Sequence, residues 1–245
     1  ASTGDILDLR GAQASKPHRF DPRRPLPKDR PWQRRRAQIA RARADAANPF
    51  VPRPDTPATS AGPLLQVIPS GPDLPVVSVI AAQLSAAIAS ATTRVWLATP
   101  YFVPDEPLLF NLRIAALRGV DVRILVPAPE RNDIRLVAWA ARSYYDEVLA
   151  AGARVFEYRR GMLHSKYLIA DELCAIGSAN MDIRSFHINY EVTGMFYDAE
   201  ITAELCAIFC EDLEHAREVT KASRAHSSLG VRLAESTARV LSPLL

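Results

Sequence analysis

The chain has 245 residues, of which 48% are hydrophobic and 23% charged, and its formal net charge is +3. This length accommodates one sizeable α/β domain with accessory segments, and the hydrophobic content supports a folded core. Three cysteines without Cys-x-x-Cys spacing argue against a disulfide framework or a zinc site, and they favour a reducing compartment. No apolar run reaches the length of about eighteen residues that spans a membrane.

The first sixty residues differ from the rest in charge and in proline content. They hold 13 Lys and Arg against 6 Asp, a net charge of +7, whereas the remainder carries −4. Ten of the 19 prolines lie in residues 1–63. Because proline removes backbone donors and blocks helix continuation, we expect residues 1–62 to be a basic linker or a surface-lying arm. An anionic membrane surface suits such an arm, and a plain solvated linker fits equally well.

Strand and helix patterns alternate from residue 64 onward. In chain order they predict a strand over 64–68, a helix over 76–91, a strand over 94–98, a helix over 106–118, a strand over 120–126, a helix over 132–150, a strand over 154–158, a hairpin over 163–170 and 174–177, a strand over 190–197 and a helix over 199–220. We therefore expect an α/β fold, with a mixed, mostly parallel sheet flanked by helices, over residues 63–221. Residues 222–245 are predicted to form an amphipathic tail, for which docking on the domain is simpler than insertion into a membrane interface.

The predicted hairpin carries the chemistry. His164 and Lys166 are two residues apart, so on a strand both side chains project to one face. A lysine can neutralise a non-bridging phosphate oxygen, while a histidine attacks phosphorus or protonates the leaving oxygen. Ser178 and Asn180 follow Gly177 and can donate to the remaining phosphate oxygens. These residues predict phosphodiester chemistry that needs neither a metal nor a cofactor.

Two acidic residues complete the set of candidate catalytic residues. Glu191 lies on the next predicted strand, where it can accept a hydrogen bond from the second nitrogen of His164 and fix its tautomer. Asp171 sits where the hairpin turns, which favours a turn or salt-bridge role over proton transfer. A lone His-x-Lys pattern is common on solvated strand edges, but the additional acidic and Gly-Ser-x-Asn residues make chance improbable.

This pattern of His-x-Lys, four residues, Asp and then Gly-Ser-x-Asn resembles the hallmark of the phospholipase D superfamily. Asp171 and Gly177 are separated by five residues, one fewer than the family pattern, which places the role of Asp171 in doubt more than that of His164. From residue 64 to the end, the chain is similar to the C-terminal half of bacterial cardiolipin synthases. The segments that carry this similarity are Gln-Val-Ile-Pro-Ser-Gly-Pro-Asp at 66–73, Thr-Pro-Tyr-Phe-Val-Pro-Asp at 99–105, Ala-Arg-Ser-Tyr-Tyr at 141–145, Gly-Met-Leu-His at 161–164, Asn-Met-Asp-Ile-Arg-Ser-Phe at 180–186 and Asn-Tyr-Glu at 189–191.

The resemblance implies a reaction and a location. A phosphatidyl group would pass from one phosphatidylglycerol, through a phosphohistidine, to a second phosphatidylglycerol, with release of glycerol. In two-motif members the N-terminal histidine is usually the nucleophile, so His164 would be the general acid and base. The implied location is the cytoplasmic face of the bacterial inner membrane, with this chain in a peripheral position.

The chemistry of the family uses two His-x-Lys motifs, and this sequence holds one. The other four histidines, His18, His187, His215 and His226, have no lysine two residues later. We expect the second motif to come from a missing N-terminal half or from a second copy in a homodimer. The start at Ala1 favours a fragment over a complete protein.

Two other functions stay open. One is a dimeric, metal-independent phosphodiesterase, nuclease or phospholipase D, in which the basic arm would hold a nucleic-acid backbone; the apolar loops make nucleic acid the weaker partner. The other is a non-catalytic half that serves as a scaffold. Tyr101 and Phe102 are expected either in a substrate channel or in the core, and core packing is favoured for Trp139, Tyr144 and Tyr145.

Overall fold

The computed structural model describes residues 62–72, 78–226 and 228–241. The predicted arm, apart from Gly62, and the beginning of the first predicted helix lie outside these residues. Ten strands are present within the described ranges: β1 Leu64–Ser70, β2 Arg94–Ala98, β3 Phe102–Val103, β4 Asp121–Pro127, β5 Arg154–Tyr158, β6 Tyr167–Ala170, β7 Leu173–Gly177, β8 Met181–Asp182, β9 Glu191–Tyr197 and β10 Ala216–Val219. The α-helices in the same ranges are α1 Val79–Ser90, α2 Glu106–Leu117, α3 Arg135–Ser143, α4 Tyr145–Ala151, α5 Ile183–His187, α6 Ala199–Leu213, α7 Lys221–Ala225 and α8 Leu229–Leu241.

Eight of these strands form one mixed sheet in the order β1-β9-β7-β6-β2-β4-β5-β10. The expectation of a mixed sheet flanked by helices is correct, but the expectation that it is mostly parallel is wrong. Within this sheet of the described residues, the parallel pairs are β2 with β4 and β4 with β5. The other neighbours in this sheet are antiparallel. Parallel neighbours need a crossover connection, and helices supply it between β2 and β4 and between β4 and β5.

Both faces of the sheet are buried over its central strands. Along β2, Val95 and Leu97 join one hydrophobic cluster, and Trp96 joins the cluster on the opposite face. The first cluster contains apolar residues of α1 to α4, and the second contains Leu205 and Phe209 of α6. The strand pleat therefore divides a continuous apolar run between two helical layers, which explains why the strands show no polar alternation.

Two predicted helices also differ from the sequence-based expectation. The helix predicted over 132–150 is two helices that meet at Tyr144. The helix predicted over 199–220 ends at Leu213, and the chain then forms β10, which pairs with β5 and is an edge strand of the sheet. Helical propensity continues past this point, but pairing with β5 outweighs it, since Arg217 reaches the buried carboxylate of Glu157 and Arg154 pairs with Glu218.

The C-terminal helix α8 packs against α3. Its buried Glu235 accepts hydrogen bonds from Arg142 of α3 and from Arg224 of α7. Burial of a carboxylate is tolerated here because two guanidinium groups satisfy it. The tail therefore docks on the domain, as expected, while the domain limits at 62/63 and 221/222 stay predictions. Of the helices in the described part of the chain, none is long and apolar enough to cross a membrane.

The turn between β6 and β7 is anchored by Asp171. Its backbone is left-handed, with φ of 52°. Its carboxylate accepts from the backbone nitrogens of Thr92, Thr93 and Arg94 at 2.8, 2.9 and 3.0 Å, and from both threonine hydroxyls. Partial burial opposes ionisation, but these hydrogen bonds outweigh it and hold the pKa of Asp171 well below its usual range. The hairpin is thus fixed to the N-terminal end of β2.

The strand pair β7–β9 needs a glycine at its end. A Cβ atom added to Gly177 would lie 2.8 Å from the Cα of Thr193 and 2.5 Å from its hydroxyl oxygen, and would also meet the carbonyl oxygen of Val192. Backbone atoms cannot move aside as a flexible side chain can. Gly177 is therefore required by close strand contact, whereas a Cβ on Gly161 would meet nothing within 4 Å.

Asp171→Asn is expected to lower the free energy of unfolding at pH 7 by about 1–3 kcal/mol, because the donors of Thr92, Thr93 and Arg94 lose a charged acceptor. Asparagine tolerates the left-handed backbone, so the change leaves the turn possible while it removes the charge and replaces one accepting oxygen by a donating amide group. A depressed pKa gives stability that is complete above the unfolded pKa of about 3.9 and is lost as the pH falls through the folded pKa. The difference between wild type and variant in the free energy of unfolding, measured with urea, should therefore become smaller below about pH 4. Glu172→Gln in the same turn should change little; an equal effect of both variants would contradict the assignment.

Gly177→Ala is expected to destabilise the chain by about 1–3 kcal/mol, the usual cost of overpacking, because β7 must move away from β9. Thermal or urea unfolding measures the loss. The matched variant Gly161→Ala adds the same methyl group in open space and should be close to neutral. If the two variants unfold alike, the close contact is not the reason for glycine at position 177.

Candidate functional site

The motif residues meet at one edge of the sheet because of strand direction. The parallel strands β2 and β4 both end at this edge, and the loops that follow them carry Tyr101 and Asp133. Strand β7 ends there too, antiparallel to β6 and β9. Residues that precede β6 and β9 and residues that follow β2, β4 and β7 are thus brought together, at the position where α/β sheets commonly place their sites.

His164 and Lys166 lie in a loop segment, since β6 begins only at Tyr167. The prediction of a strand from residue 163 is wrong for these positions. Their side chains nevertheless meet, as expected. The Nζ atom of Lys166 is 3.2 Å from Nδ1 of His164 and 3.4 Å from Nε2, and it donates to the carbonyl oxygen of His164 at 3.0 Å. His164 is exposed and Lys166 is half-buried, so both groups can reach a phosphate from solvent.

Lys166 is surrounded by acidic groups. Burial lowers its pKa, and the negative charges of Glu191, Asp182 and Asp133 oppose that shift. The ammonium therefore carries a desolvation cost that three carboxylates partly offset. A bound phosphate would supply a fourth negative charge at this point.

Ser178 and Glu191 form a pair across the end of β7 and β9. The hydroxyl of Ser178 donates to the Glu191 carboxylate and accepts from the backbone nitrogen of Val192 at 3.0 Å. The other carboxylate oxygen accepts from the Asn189 amide at 3.3 Å. The sequence analysis predicted that Glu191 accepts a hydrogen bond from His164. Among the described residues, the Glu191 carboxylate instead accepts from Ser178 and Asn189. The Ser178 hydroxyl must turn away from Glu191 before it can donate to a phosphate.

Asn180 is held by the turn that leads into α5. Its backbone nitrogen donates to the Ser185 hydroxyl at 3.1 Å, and its side chain bonds the carboxylate of Asp182. Its Oδ1 atom is buried and has no hydrogen-bond partner among the described residues. Asp182 in turn caps α5 by accepting from the Ser185 nitrogen at 2.7 Å. Burial raises the pKa of Asp182, against the effect of these hydrogen bonds.

Asp171 is not part of this group. It follows β6, whereas Lys166 precedes that strand, so the two residues lie at opposite ends of β6. All five hydrogen bonds of its carboxylate serve the turn. Its inclusion among the catalytic residues is therefore corrected to an anchoring role, which its turn position already favoured. The spacing of four residues between Lys166 and Asp171 therefore corresponds to the length of β6 and does not bring the two side chains together.

Sequence reasoning missed Asp133 and the role of Asp182. The Tyr101 hydroxyl donates to the Asp133 carboxylate, 2.9 Å from each oxygen. Burial, followed by the hydrogen bond and charge of Asp133, raises the pKa of Tyr101 to about 12, so the phenol keeps its proton at neutral pH. Asp133 could have been found from its position at the start of the helix predicted after the strand over 120–126, because the segments that follow parallel strands place polar groups together.

Other aromatic candidates divide between core and surface. Phe102, Tyr144 and Tyr145 are buried in the core, as predicted for the two tyrosines. Trp139 packs against that core but stays partly exposed. His187, also missed, lies 3.5 Å from the carboxylate of Asp105.

Comparison with known proteins gives the family. Residues 84–213 match the family model described as cardiolipin synthase, PLD-like domain. The cardiolipin synthase of Geobacillus sp. (strain WCH70) is 48% identical over 182 residues, which cover 74% of this chain and 36% of that protein. The chain thus spans about a third of the length of the curated relatives that it matches.

Solved structures agree on the fold. The phospholipase D family member Nuc from Salmonella typhimurium superposes with a TM-score of 0.55 at 22% identity, over 65% of this chain and 99% of Nuc. The phosphatidylserine synthase of Haemophilus influenzae gives a TM-score of 0.59 at 14% identity, over 90% of this chain and 56% of that one. These identities support a shared fold. The family model matched over residues 84–213 shows that this chain belongs to the PLD-like domain family of the cardiolipin synthases.

Proposed function

We propose that this chain is the half of a cardiolipin synthase-like phosphatidyltransferase that supplies one of two His-x-Lys centres. The observation that carries the proposal is the contact between His164 and Lys166 at the sheet edge where the Ser178–Glu191 pair also lies. An imidazole beside an ammonium suits a phosphodiester, because one group exchanges a proton while the other neutralises phosphate charge. The curated relatives named cardiolipin synthase support phosphatidylglycerol as the substrate.

The first step transfers the phosphatidyl group to an imidazole of the second centre. A nitrogen of that histidine forms a bond to phosphorus as the bond from phosphorus to the glycerol oxygen breaks. Protonated His164 gives its proton to the departing oxygen, so glycerol leaves as a neutral alcohol. Lys166 lies against a non-bridging oxygen and stabilises the charge that develops there.

The second step uses the same groups in reverse. Neutral His164 takes the proton from the primary hydroxyl of a second phosphatidylglycerol as its oxygen attacks phosphorus. The bond between phosphorus and the other histidine then breaks, and cardiolipin is released. His164 ends the cycle protonated, ready to act as the acid again.

Ser178, Asn180 and Glu191 have supporting roles in this proposal. Glu191 lowers the electrostatic cost of the half-buried Lys166 ammonium and holds Ser178. Asn180 presents its amide from a fixed turn beside the same edge. We assign Ser178 and Asn180 to phosphate binding, with Ser178 exchanging its hydrogen bond to Glu191 for one to the phosphate.

The second centre comes from outside this sequence, either from another segment of a longer protein or from a second copy. The relatives are nearly three times as long as the matched region, which favours another segment. The substrate lies in a bilayer, so we also propose that the chain works at an anionic membrane surface in a peripheral position. Proton exchange at His164 needs only access to the phosphodiester head group, which the exposed site allows.

The proposal is tested with a chimera. Residues 64–241 replace the matching segment of the Geobacillus cardiolipin synthase, and the rest of that protein would supply the other His-x-Lys centre. In phosphatidylglycerol vesicles with chelator present, the chimera should release glycerol and form cardiolipin. His164→Ala should reduce turnover by about a hundredfold to ten-thousandfold, the range that the loss of a proton-transfer group costs.

His226→Ala is the matched control, because His226 is exposed and lies outside the His-x-Lys pattern; it should leave turnover unchanged. A folded chimera that makes cardiolipin equally well with and without His164 would contradict the proposal. Salt-sensitive cleavage of DNA by the chain, without lipid transfer by the chimera, would instead support the nuclease alternative.

A further inference from the structure

A groove opens beside the candidate site and has no role in the mechanism above. It lies between the turn at Pro129–Arg131 and the first turns of α3, and its volume is about 620 Å³. Small-molecule sites usually occupy about 300–1,000 Å³. The polar and aromatic side chains that line it are Glu130, Asn132, Asp133, Arg135 and Trp139. We refer to it as the 129–139 groove.

Asp133 connects this groove to the candidate site. It lines the groove, and both of its carboxylate oxygens lie 2.9 Å from the Tyr101 hydroxyl. Tyr101 is in the loop after β2, and Thr99 of the same loop accepts from the Met181 nitrogen, next to Asn180. The charge of Asp133 is also felt at Lys166. Asp133 therefore belongs both to the groove and to the acidic surroundings of Lys166.

The lining indicates the chemistry of that substituent. The carboxylates of Glu130 and Asp133 only accept hydrogen bonds, whereas the Arg135 guanidinium only donates. The Asn132 amide is already used, since it donates to Pro100 and accepts from Ile134. Trp139 offers an apolar ring, against which Arg135 lies with its Cζ 5.6 Å from the ring centre.

Hydroxyl groups match this lining better than charged groups do. A neutral polyol both donates to the carboxylates and accepts from the guanidinium, while its carbon atoms pack on the indole. A head group with an ammonium could pair with Glu130 or Asp133, but an ammonium only donates and has no acceptor to offer to Arg135, whereas a hydroxyl has one. A head group with a carboxylate would face Glu130 and Asp133, and like charges at short range are unfavourable.

We propose that the 129–139 groove is the head-group subsite for the glycerol of phosphatidylglycerol, with Asp133 as the residue that determines this specificity. This inference rests on the proposed function for the identity of the lipid. Asp133 would accept from the two free hydroxyls of the glycerol, one on each oxygen. Tyr101, in the loop after β2, donates its hydroxyl to this carboxylate and acts as a positioning residue.

The test measures binding, so it does not depend on turnover or on the second catalytic centre. The chain is titrated calorimetrically with glycerophosphoglycerol, an acyl-free form of the head group, and in parallel with glycerophosphoserine and glycerophosphoethanolamine. We expect glycerophosphoglycerol to bind about tenfold more tightly than the other two. Asp133→Asn should remove about tenfold in affinity for it, the effect of one lost charge-assisted hydrogen bond, and should abolish the preference.

Glu172→Gln removes the same charge at the opposite end of β6 and should change neither affinity nor preference. Tyr101→Phe should weaken binding less than Asp133→Asn does, because the carboxylate stays but loses its anchor. Equal binding of the three compounds, or an unchanged preference in Asp133→Asn, would overturn the subsite. The outcome is separate from the transfer assay: selective binding together with an inactive chimera would leave the subsite standing and reject only the proposed function.

Discussion

The close antiparallel contact between β7 and β9 is the constraint on which the site depends. Gly177 has no room for a Cβ against Val192 and Thr193, so the two strands approach each other at the point where both reach the sheet edge. The backbone nitrogen of Ser178 donates to the Val192 carbonyl at 2.9 Å, which continues the pairing past the glycine. That pairing places the Ser178 hydroxyl on Glu191. The glycine of the motif is thus explained by strand packing, and the serine by what that packing brings beside it.

Electrostatic balance at this edge follows from partial burial. An ammonium taken partly out of water is unfavourable unless acidic groups offset the loss of solvation. Around Lys166 these groups come from three different segments, before α3, at the start of α5 and at the start of β9. The same carboxylates have other partners, namely Tyr101, Ser185 and Ser178. Each carboxylate is therefore held in place by a partner other than Lys166, so the fold itself fixes the negative charges around the lysine.

Distance from the site separates two roles within one sequence motif. Asp171 is five residues from Lys166 along the chain, yet an extended strand of four residues lies between them and carries Asp171 to the far edge of the sheet. There it ties the hairpin to the residues that lead into β2, and β2 ends beside Lys166. Asp171 thus acts on the site by fixing the register of β6 against β2. The motif combines reacting groups at one end of a strand with an anchor at the other.

Local patterns in the sequence determined the alternation of strands and helices and the buried apolar strands. They also determined which residues are neighbours in one site, because this grouping depends on side-chain chemistry and short spacing. These residues are His164, Lys166, Ser178, Asn180 and Glu191. Only the tertiary structure decided the mainly antiparallel sheet, the strand at Ala216–Val219 and the break at Tyr144, since each results from pairing or packing with residues far along the chain. It also decided which groups Glu191 bonds and that Asp133 faces Tyr101 and Lys166. The sequence shows which side-chain groups are available. Their partners depend on strand directions, which short-range spacing does not encode.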